Sequence, residues 1–409
     1  MPAPTPSSLR ERVANVAEAV DRDAFRQALV ARQFCEDHDL RDVSLLPLVI
    51  SRQEHARHTA DARRLCRAAL GAFAKRLDPA RFVGDPFQSL LQRLPLRQRV
   101  LCGNARFDFL PRQGALRLVE LNFVGVGTTA RPHRSAEALL DCLPELGDEL
   151  EPLRPVDAFA RQLKRHGVRS LVLLTKDNDR EYGTPWLDRL LVARHLGPAE
   201  VTIVPRSDWG RFTRHDGRLL LDGRPVDAIY PRELTWRPSI EEGIDWIHFF
   251  LEAGPPCFDH WALILLEDKD LRHLALHDPA VGDLLPGTWD AEDPPVGVPL
   301  SELVLKRRHD HGGEGVQVGP KALPAEDRAE WLLQERIRAD RREVNTLLGF
   351  RGRVVHDLAI HVCYDYDLER CELIHCEVSG YLSRFAPEGD VVNLAQGGGV
   401  IPVLLESVS

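Results

Sequence analysis

No stretch of this chain approaches the roughly 18 to 20 apolar residues that a membrane-crossing helix needs. The opening residues, MPAPTPSSLRERV, carry no apolar segment of the kind a secretory leader requires. A cytoplasmic protein with no membrane partner is therefore expected. Positive charge is not in surplus either: 53 Lys and Arg stand against 62 Asp and Glu, a net charge of −9. A non-specific nucleic-acid face needs the opposite balance, so nucleic acid is not expected as a partner. An acidic total still leaves room for a local basic pocket around nucleotide phosphates. The eight cysteines form no C-x-x-C pair, which removes zinc ribbons and thioredoxin-like redox sites. In a chain of 409 residues, which does not depend on disulfide staples, they read as reduced and mostly packed thiols. The 16 histidines include no H-E-x-x-H, no G-x-S-x-G elbow offers a hydrolase nucleophile, and no glycine loop ends in G-K-[ST]. Repeats of fixed period and low-complexity tracts are also missing.

What remains is a globular composition, 44% hydrophobic and 28% charged, long enough for two or three domains. Residues 1–95 read as a helical segment, with Val13, Val16, Ala17, Val20 and Phe25, then Leu65, Leu70 and Phe73, at three- and four-residue spacing. From Arg97 the period changes to two. RQRVLCGNARFDFL and GALRLVELNFVG predict two strands joined by a turn at Arg112-Gln113-Gly114. Strand-like runs at Ser170–Thr175, Val201–Pro205 and Asp227–Tyr230, separated by amphipathic stretches, predict an α/β module over 155–262 with a mostly parallel sheet. The last part, 263–409, is richer in strands: LVLKRR, GVQVG, WLLQERI, GRVVHDLAIHVCYDYD and CELIHCEVSGYLS.

Chemistry concentrates at a few points. In A-R-F-D-F and V-E-L-N, strand alternation puts Arg106 with Asp108 on one face and Glu120 with Asn122 on one face. If the strands pair as a hairpin, a guanidinium, two carboxylates and a carboxamide converge, a set of hard oxygens suited to Mg2+. The plain alternative is a solvated face on which Arg106 and Asp108 simply pair. Lys306 precedes the loop His309-Asp310-His311-Gly312-Gly313-Glu314-Gly315. Glycines let backbone N–H groups approach phosphate oxygens, and the lysine adds a point charge; an ordinary hairpin turn accounts for the loop equally well. Lys269 follows a hydrophobic run, where a surface lysine is the bland reading. Gln334-Glu335 end the run W-L-L-Q-E, an edge that suits an adenine ring and ribose hydroxyls or is only a strand terminus. Arg384, in Y-L-S-R-F, is placed to clamp a phosphate or carboxylate bidentately. Arg131, His133 and Arg134 are held as substrate-carboxylate contacts. Asp177, Asp179 and Glu181 read as an acidic surface loop or an amine subsite.

Taken together, Arg106-Phe107-Asp108-Phe109, Glu120-Leu121-Asn122, Lys269 and Lys306 with its glycine loop resemble the ATP-grasp superfamily. The likeness is to its circularly permuted members, such as the synthetase domain of glutathionylspermidine synthase, because the metal motif precedes the nucleotide lysines. The resemblance implies an α+β/α/β ATP-grasp fold in permuted order: a helical segment (1–95), metal-binding core strands (96–154), an inserted α/β module (155–262), and the nucleotide-binding lid with the remaining core (263–409). It implies ATP and Mg2+, with Asp108, Glu120 and Asn122 on the metal. Lys269, Lys306, Gly312, Gly313 and Gly315 would hold the phosphates, with Gln334 and Glu335 at the adenine. Arg106, Lys306 and Arg384 would stabilise the transferring group. The implied reaction joins a small carboxylate to an amine through an acyl phosphate, and ligases of this kind are often homodimers. F-V-G-V-G-T-T after the E-x-N departs from glutathionylspermidine synthase, and too few residues precede the core for its amidase domain. An amino acid or small peptide is then the expected substrate. Two other classes stay open, an ATP-binding protein without turnover and a small-molecule kinase.

Overall fold

The computed structural model of the protein describes residues 8–34, 42–76, 86–126, 132–177, 200–235, 237–308, 315–387, 389, 392 and 398–408. Its centre is a seven-stranded antiparallel sheet. Arg341–Asn345, Arg351–His356, Glu372–Ala386, Leu358–Asp367, Val100–Arg112 and Ala115–Asn122 follow one another in space, and Gly399–Ile401 also pairs with Glu372–Ala386. Alternation along these strands sends Phe107, Phe109, Ile360, Tyr364 and Tyr366 to one face. There they pack with Leu65, Leu70 and Phe73 of the helix Arg52–Arg76. The polar partners of the alternation, Arg106, Asp108, His361 and Arg384, go to the other face, and that face carries the site.

Four smaller sheets accompany it. Thr288–Asp290, Trp331–Glu335, Leu303–Arg307 and Val316–Val318 form a four-stranded antiparallel sheet in that order, with its own small core of Ala291, Leu303, Leu305 and Leu333. Ala228–Pro231, Leu171–Thr175 and Val201–Pro205 make a parallel sheet, packed by Val156, Phe159 and Leu163 of the helix Pro155–Arg165. Strand–helix alternation thus yields the mixed α/β architecture expected. A short meander over 212–225 and a three-stranded sheet of Leu48–Ile50, Val403–Glu406 and Leu150–Glu151 complete the set.

The N-terminal span is not wholly helical. Helices Leu9–Ala17, Arg22–Ala31, Arg52–Arg76 and Pro86–Gln92 are present, the first begun by a Ser8–Glu11 capping box and the second by the Asp21 side chain. Between them Leu48–Ile50 is a strand, running parallel to Val403–Leu405 near the other end of the chain. Three apolar residues in a row have no helical or strand period of their own, so the partner decides their conformation. Among the described residues no helix is long and apolar enough to cross a membrane. The described cysteines are free thiols, five of the seven buried.

Candidate functional site

The site begins with the hairpin. Gln113 and Gly114, with φ of 53° and 78°, form the two-residue loop that joins Arg112 to Ala115. Positive φ at both centres is what a tight hairpin turn demands, and glycine meets it at no steric cost. The turn sets the register, which pairs Arg106 with Asn122 and Asp108 with Glu120 directly across the ladder. Between these pairs and the turn the register slips, since Phe109 faces Leu118. Val119 is therefore bulged out of the ladder. A bulge frees a backbone carbonyl and re-aims the side chain beside it, and the freed Val119 carbonyl accepts a 3.0 Å hydrogen bond from the Lys306 ammonium.

Asp108 is 2% exposed. Arg106 donates to its carboxylate through Nε and Nη2, at 2.7 and 2.9 Å, and Arg384 donates through Nη2 at 2.9 Å. Burial alone would raise its pKa, but the two guanidiniums overcome it and hold the carboxyl down to about 2. Arg384 is shared with Asp357, whose Oδ1 accepts the Arg384 backbone N–H and whose Oδ2 accepts Nε, both at 2.7 Å. Burial raises the pKa of Asp357, and neighbouring Asp108 adds to that against the pull of Arg384. Burial works against the charge on Arg384, yet the two carboxylates raise its pKa. His361, opposite Arg106 in the ladder, is drawn down to about 3, first by burial and then by Arg106. It stays neutral behind the charges.

The lysines approach from the other side. Lys306 sits on the strand Leu303–Arg307, which pairs with Trp331–Glu335 so that Gln334 lies diagonally across from it. Its Nζ donates to Gln334 Oε1 at 2.6 Å. Burial lowers its pKa to about 8; Glu120 and Asp108 oppose that shift and Lys269 adds to it. Lys269, a surface lysine on the bland reading and a phosphate contact on the resemblance, is only 6% exposed, and the two ammoniums are close enough to repel. A desolvated pair of cations beside two carboxylates suits an anion that carries several charges.

Glu335 lies elsewhere. Its carboxylate accepts from Arg112 at 3.2 Å and sits 3.7 Å from Arg117, so it ties the four-stranded sheet to the hairpin. The Gln334 backbone is paired on both sides, with Thr288 and Val304, while its Nε2 is buried without a hydrogen-bond partner. Gly312 and Gly313, with His309, Asp310, His311 and Glu314, lie outside the described residues, as do Arg131, Asp179 and Glu181. Gly315 closes that loop with φ of 65°. His133 and Arg134 are buried at the start of the helix Pro132–Cys142, where Arg134 donates to the Arg32 carbonyl. Asp177 accepts the Ser207 backbone N–H at 2.7 Å.

Two residues of the cluster have no conspicuous motif. Asp357 interrupts G-R-V-V-H-D-L-A-I and splits that run into two strands. Glu267 ends the buried segment Trp261–Glu267, and its Oε1 accepts the backbone N–H groups of Phe123 and Val124 at 2.6 and 2.8 Å. Burial raises its pKa to about 8 despite those bonds, with Glu120 adding to the rise. The first acid after a fully apolar run was the available signal for it.

The oxygens left over bear on a metal. The Glu120 carboxylate carries none of the hydrogen bonds or ion pairs found among the described residues, and Asn122 uses only Nδ2, donating to the Arg106 carbonyl at 3.4 Å. Two hard oxygen donors side by side fit Mg2+, which keeps waters and takes substrate phosphate oxygens. Among the described residues no three His, Cys, Asp or Glu side chains group into a metal cage. Asp108 already gives both oxygens to guanidiniums.

No protein-family model matches the chain, and no curated protein matches it. Among solved structures, it superposes on a glutathione synthetase-like effector from Globodera pallida, in apo form, with a TM-score of 0.72 over 98% of this chain and 99% of that one. The two share this fold at 14% sequence identity. A candidate gamma-glutamylcysteine synthetase from Methylobacillus flagellatus aligns over 83% of this chain and 87% of its own, at 15% identity, with a TM-score of only 0.39.

Proposed function

We propose that the protein is an ATP-dependent carboxylate–amine ligase of the ATP-grasp type, forming an amide between small molecules and releasing ADP and phosphate. The observation that carries the reading is the direct pairing of Asp108 with Glu120 across the hairpin, with Arg106, Arg384 and the buried Lys306 turned onto the same spot. The shared fold with a glutathione synthetase-like protein agrees with it and favours an amino acid or short peptide as the acid. ATP and the two partners are the substrates. Mg2+ between Glu120 and Asn122 would supply charge neutralisation at the phosphates.

Phosphoryl transfer asks mainly for positioning and electrostatics. A carboxylate oxygen of the acid attacks the γ-phosphorus, the bond to ADP breaks, and an acyl phosphate forms. The amine nitrogen then attacks the acyl carbon, phosphate departs, and the nitrogen loses a proton. Lys306 and Lys269 meet the phosphate charge. Arg384, oriented by Asp357, and Arg106, oriented by Asp108, receive the carboxylate and then the acyl phosphate. No protein nucleophile is needed, in keeping with a site built from cations and carboxylates.

The test is turnover with Mg2+, ATP, pooled amino acids and hydroxylamine, reading ADP, AMP and hydroxamate. ADP with hydroxamate is expected, and both should vanish in Lys306→Met. AMP in place of ADP would mean adenylation and overturn the acyl-phosphate route. ADP without hydroxamate, with the phosphoryl group found on a hydroxyl or another acceptor that is not a carboxylate, would make the protein a kinase.

A further inference from the structure

Lys269 and Lys306 repel one another, so the fold must hold the one beside the other. Lys269 follows the buried segment Trp261–Glu267 and precedes the helix Arg272–His277. Upstream of it, Glu267 ties the segment to the end of the hairpin, at Phe123 and Val124. Its other tie is to Arg308, two residues beyond Lys306. The Lys269 backbone N–H donates to the Arg308 carbonyl at 3.2 Å. The Arg308 guanidinium then reaches both chain neighbours of Lys269. Its Nη1 donates to the Asp268 carboxylate at 3.3 and 3.4 Å and lies 3.6 Å from that of Asp270. Its Nη2 donates at 2.6 Å to Asp290, on the strand Thr288–Asp290 of the four-stranded sheet, and its Nε donates at 3.0 Å to the Ala329 carbonyl. Arg272 braces the far side, donating to Asp270 and Asp290 at 2.7 and 2.9 Å.

Ion pairs at a surface contribute little to stability, but this network is withdrawn from water and aimed at one residue. The Asp268 side chain is 4% exposed and that of Arg308 19%. Burial would raise the pKa of Asp270, but Arg272 and then Arg308 hold it below the ordinary carboxylate value. A planar guanidinium with donors fixed in direction can meet several carboxylates at once, which a point charge cannot. We propose that Arg308 is a positioning residue: clasping Asp268 and Asp270 on either side of Lys269, it fixes the spacing of the two ammoniums that receive the ATP phosphates. This role rests on the ligase reading, which puts those phosphates at Lys269 and Lys306.

The experiment is calorimetric titration of Mg2+–ATP into the full chain and its variants, with the melting temperature of each free protein. Arg308→Met should weaken ATP binding at least about tenfold, since a charge displaced by an ångström loses much of its effect. Lys269→Met should weaken it as well. Adding Arg308→Met to Lys269→Met should cost less than about twofold more, because a residue that acts through another has nothing left to position. Arg272→Met loosens the same network but leaves Arg308 on Asp268. It should lower the melting temperature and keep ATP binding within about twofold of the parent. A purely structural network gives a different pattern, in which the two arginines affect melting and ATP binding alike and the loss in Arg308→Met adds to that in Lys269→Met. That pattern, or unchanged ATP binding in Arg308→Met, would overturn the proposal. A parent that binds no Mg2+–ATP would remove the ligase reading and this role with it, whereas a parent that binds ATP while its variants are additive removes the role alone. If Arg308→Met does not fold, Asp268→Asn unties the same contact from its other end and should show the same loss of additivity with Lys269→Met.

Discussion

Arg384 and Arg342 are two guanidiniums drawn into one seven-stranded sheet, and the fold treats them in opposite ways. Arg384 lies between Asp108 and Asp357 and receives hydrogen-bond acceptors at Nε, Nη2 and its own backbone N–H. Arg342 has a single carbonyl and an orphaned Nε. Burial opposes the charge on each, but the carboxylates reverse the effect at Arg384 and nothing does at Arg342. A matched charge in a core is a rigid part, fixed before any ligand arrives. An unmatched one is carried at a standing cost.

The largest effect should come from breaking the matched side. Arg384→Met leaves Asp108 and Asp357 facing each other in a dry site with one cation fewer. Removing one partner of a buried ion cluster costs about 3–5 kcal/mol, and the urea midpoint should fall accordingly, with ligase turnover lost as well. Arg342→Met removes a charge that no carboxylate matches and should cost little; if Arg384→Met were equally harmless, the contrast between the two residues would have no energetic content.

The carboxylates offer the same contrast. Asp108 is held down to about 2 by two guanidiniums against its burial, whereas burial carries Glu267, which has only backbone N–H donors, up to about 8. A carboxyl whose folded pKa lies above its unfolded one, about 4.5, binds more protons in the folded state across that interval. Its stabilising contribution is complete below about pH 4.5 and is lost as pH rises through about 8. Glu267→Gln cannot ionise. The stability of the parent relative to this variant should therefore fall by a few kcal/mol between those limits, measured by urea unfolding at several pH values. A constant difference would show that Glu267 is compensated after all.

How much of this was legible in the sequence follows from the range of each interaction. The hairpin was readable because its determinants are local: period-two alternation on both sides of Gln113-Gly114, and Arg106, Asp108, Glu120 and Asn122 at alternate positions. Strands around Lys306 and Gln334 were readable for the same reason. The bulge at Val119 was not, because one extra residue leaves no compositional mark. Asp357 was hidden because its partners, Arg384 and Asp108, lie 27 and 249 residues away; its carboxylate looks like any other in H-D-L. The strand Leu48–Ile50 was concealed inside a helical stretch by a partner at Val403–Leu405. Taken alone Lys269 reads as a surface lysine, and only the resemblance puts it at the phosphates, since burial of a charge cannot be read without the charges around it.

Asp357→Asn moves Arg384 part of the way towards the condition of Arg342. Burial opposes the charge on Asp357 while Arg384 supports it, so the substitution removes a charge that the fold holds at a cost. Its main effect is to turn an amide donor towards Arg384 and leave one group unsatisfied, for about 1–3 kcal/mol. Turnover should fall while the fold persists. Stability unchanged with turnover intact would mean that Asp108 alone orients the guanidinium.

The smallest change in stability is expected at Glu120, and it separates charges that hold the fold from charges that wait for a ligand. Glu120 stands opposite Asp108 in the ladder, yet carries none of the described hydrogen bonds or ion pairs, while its charge supports that of Lys306 and opposes that of Glu267. Those two influences have opposite signs for the folded state, so Glu120→Gln should shift the unfolding free energy by no more than about 0.5 kcal/mol. On the reading of the hairpin as a Mg2+–ATP site, the same variant should lose the Mg2+-dependent protection of the protein by ATP in thermal melts, together with its turnover. A variant that kept both would place the metal away from Glu120. A variant that lost several kcal/mol without any ligand would instead make Glu120 part of the matched, structural set to which Asp108 belongs.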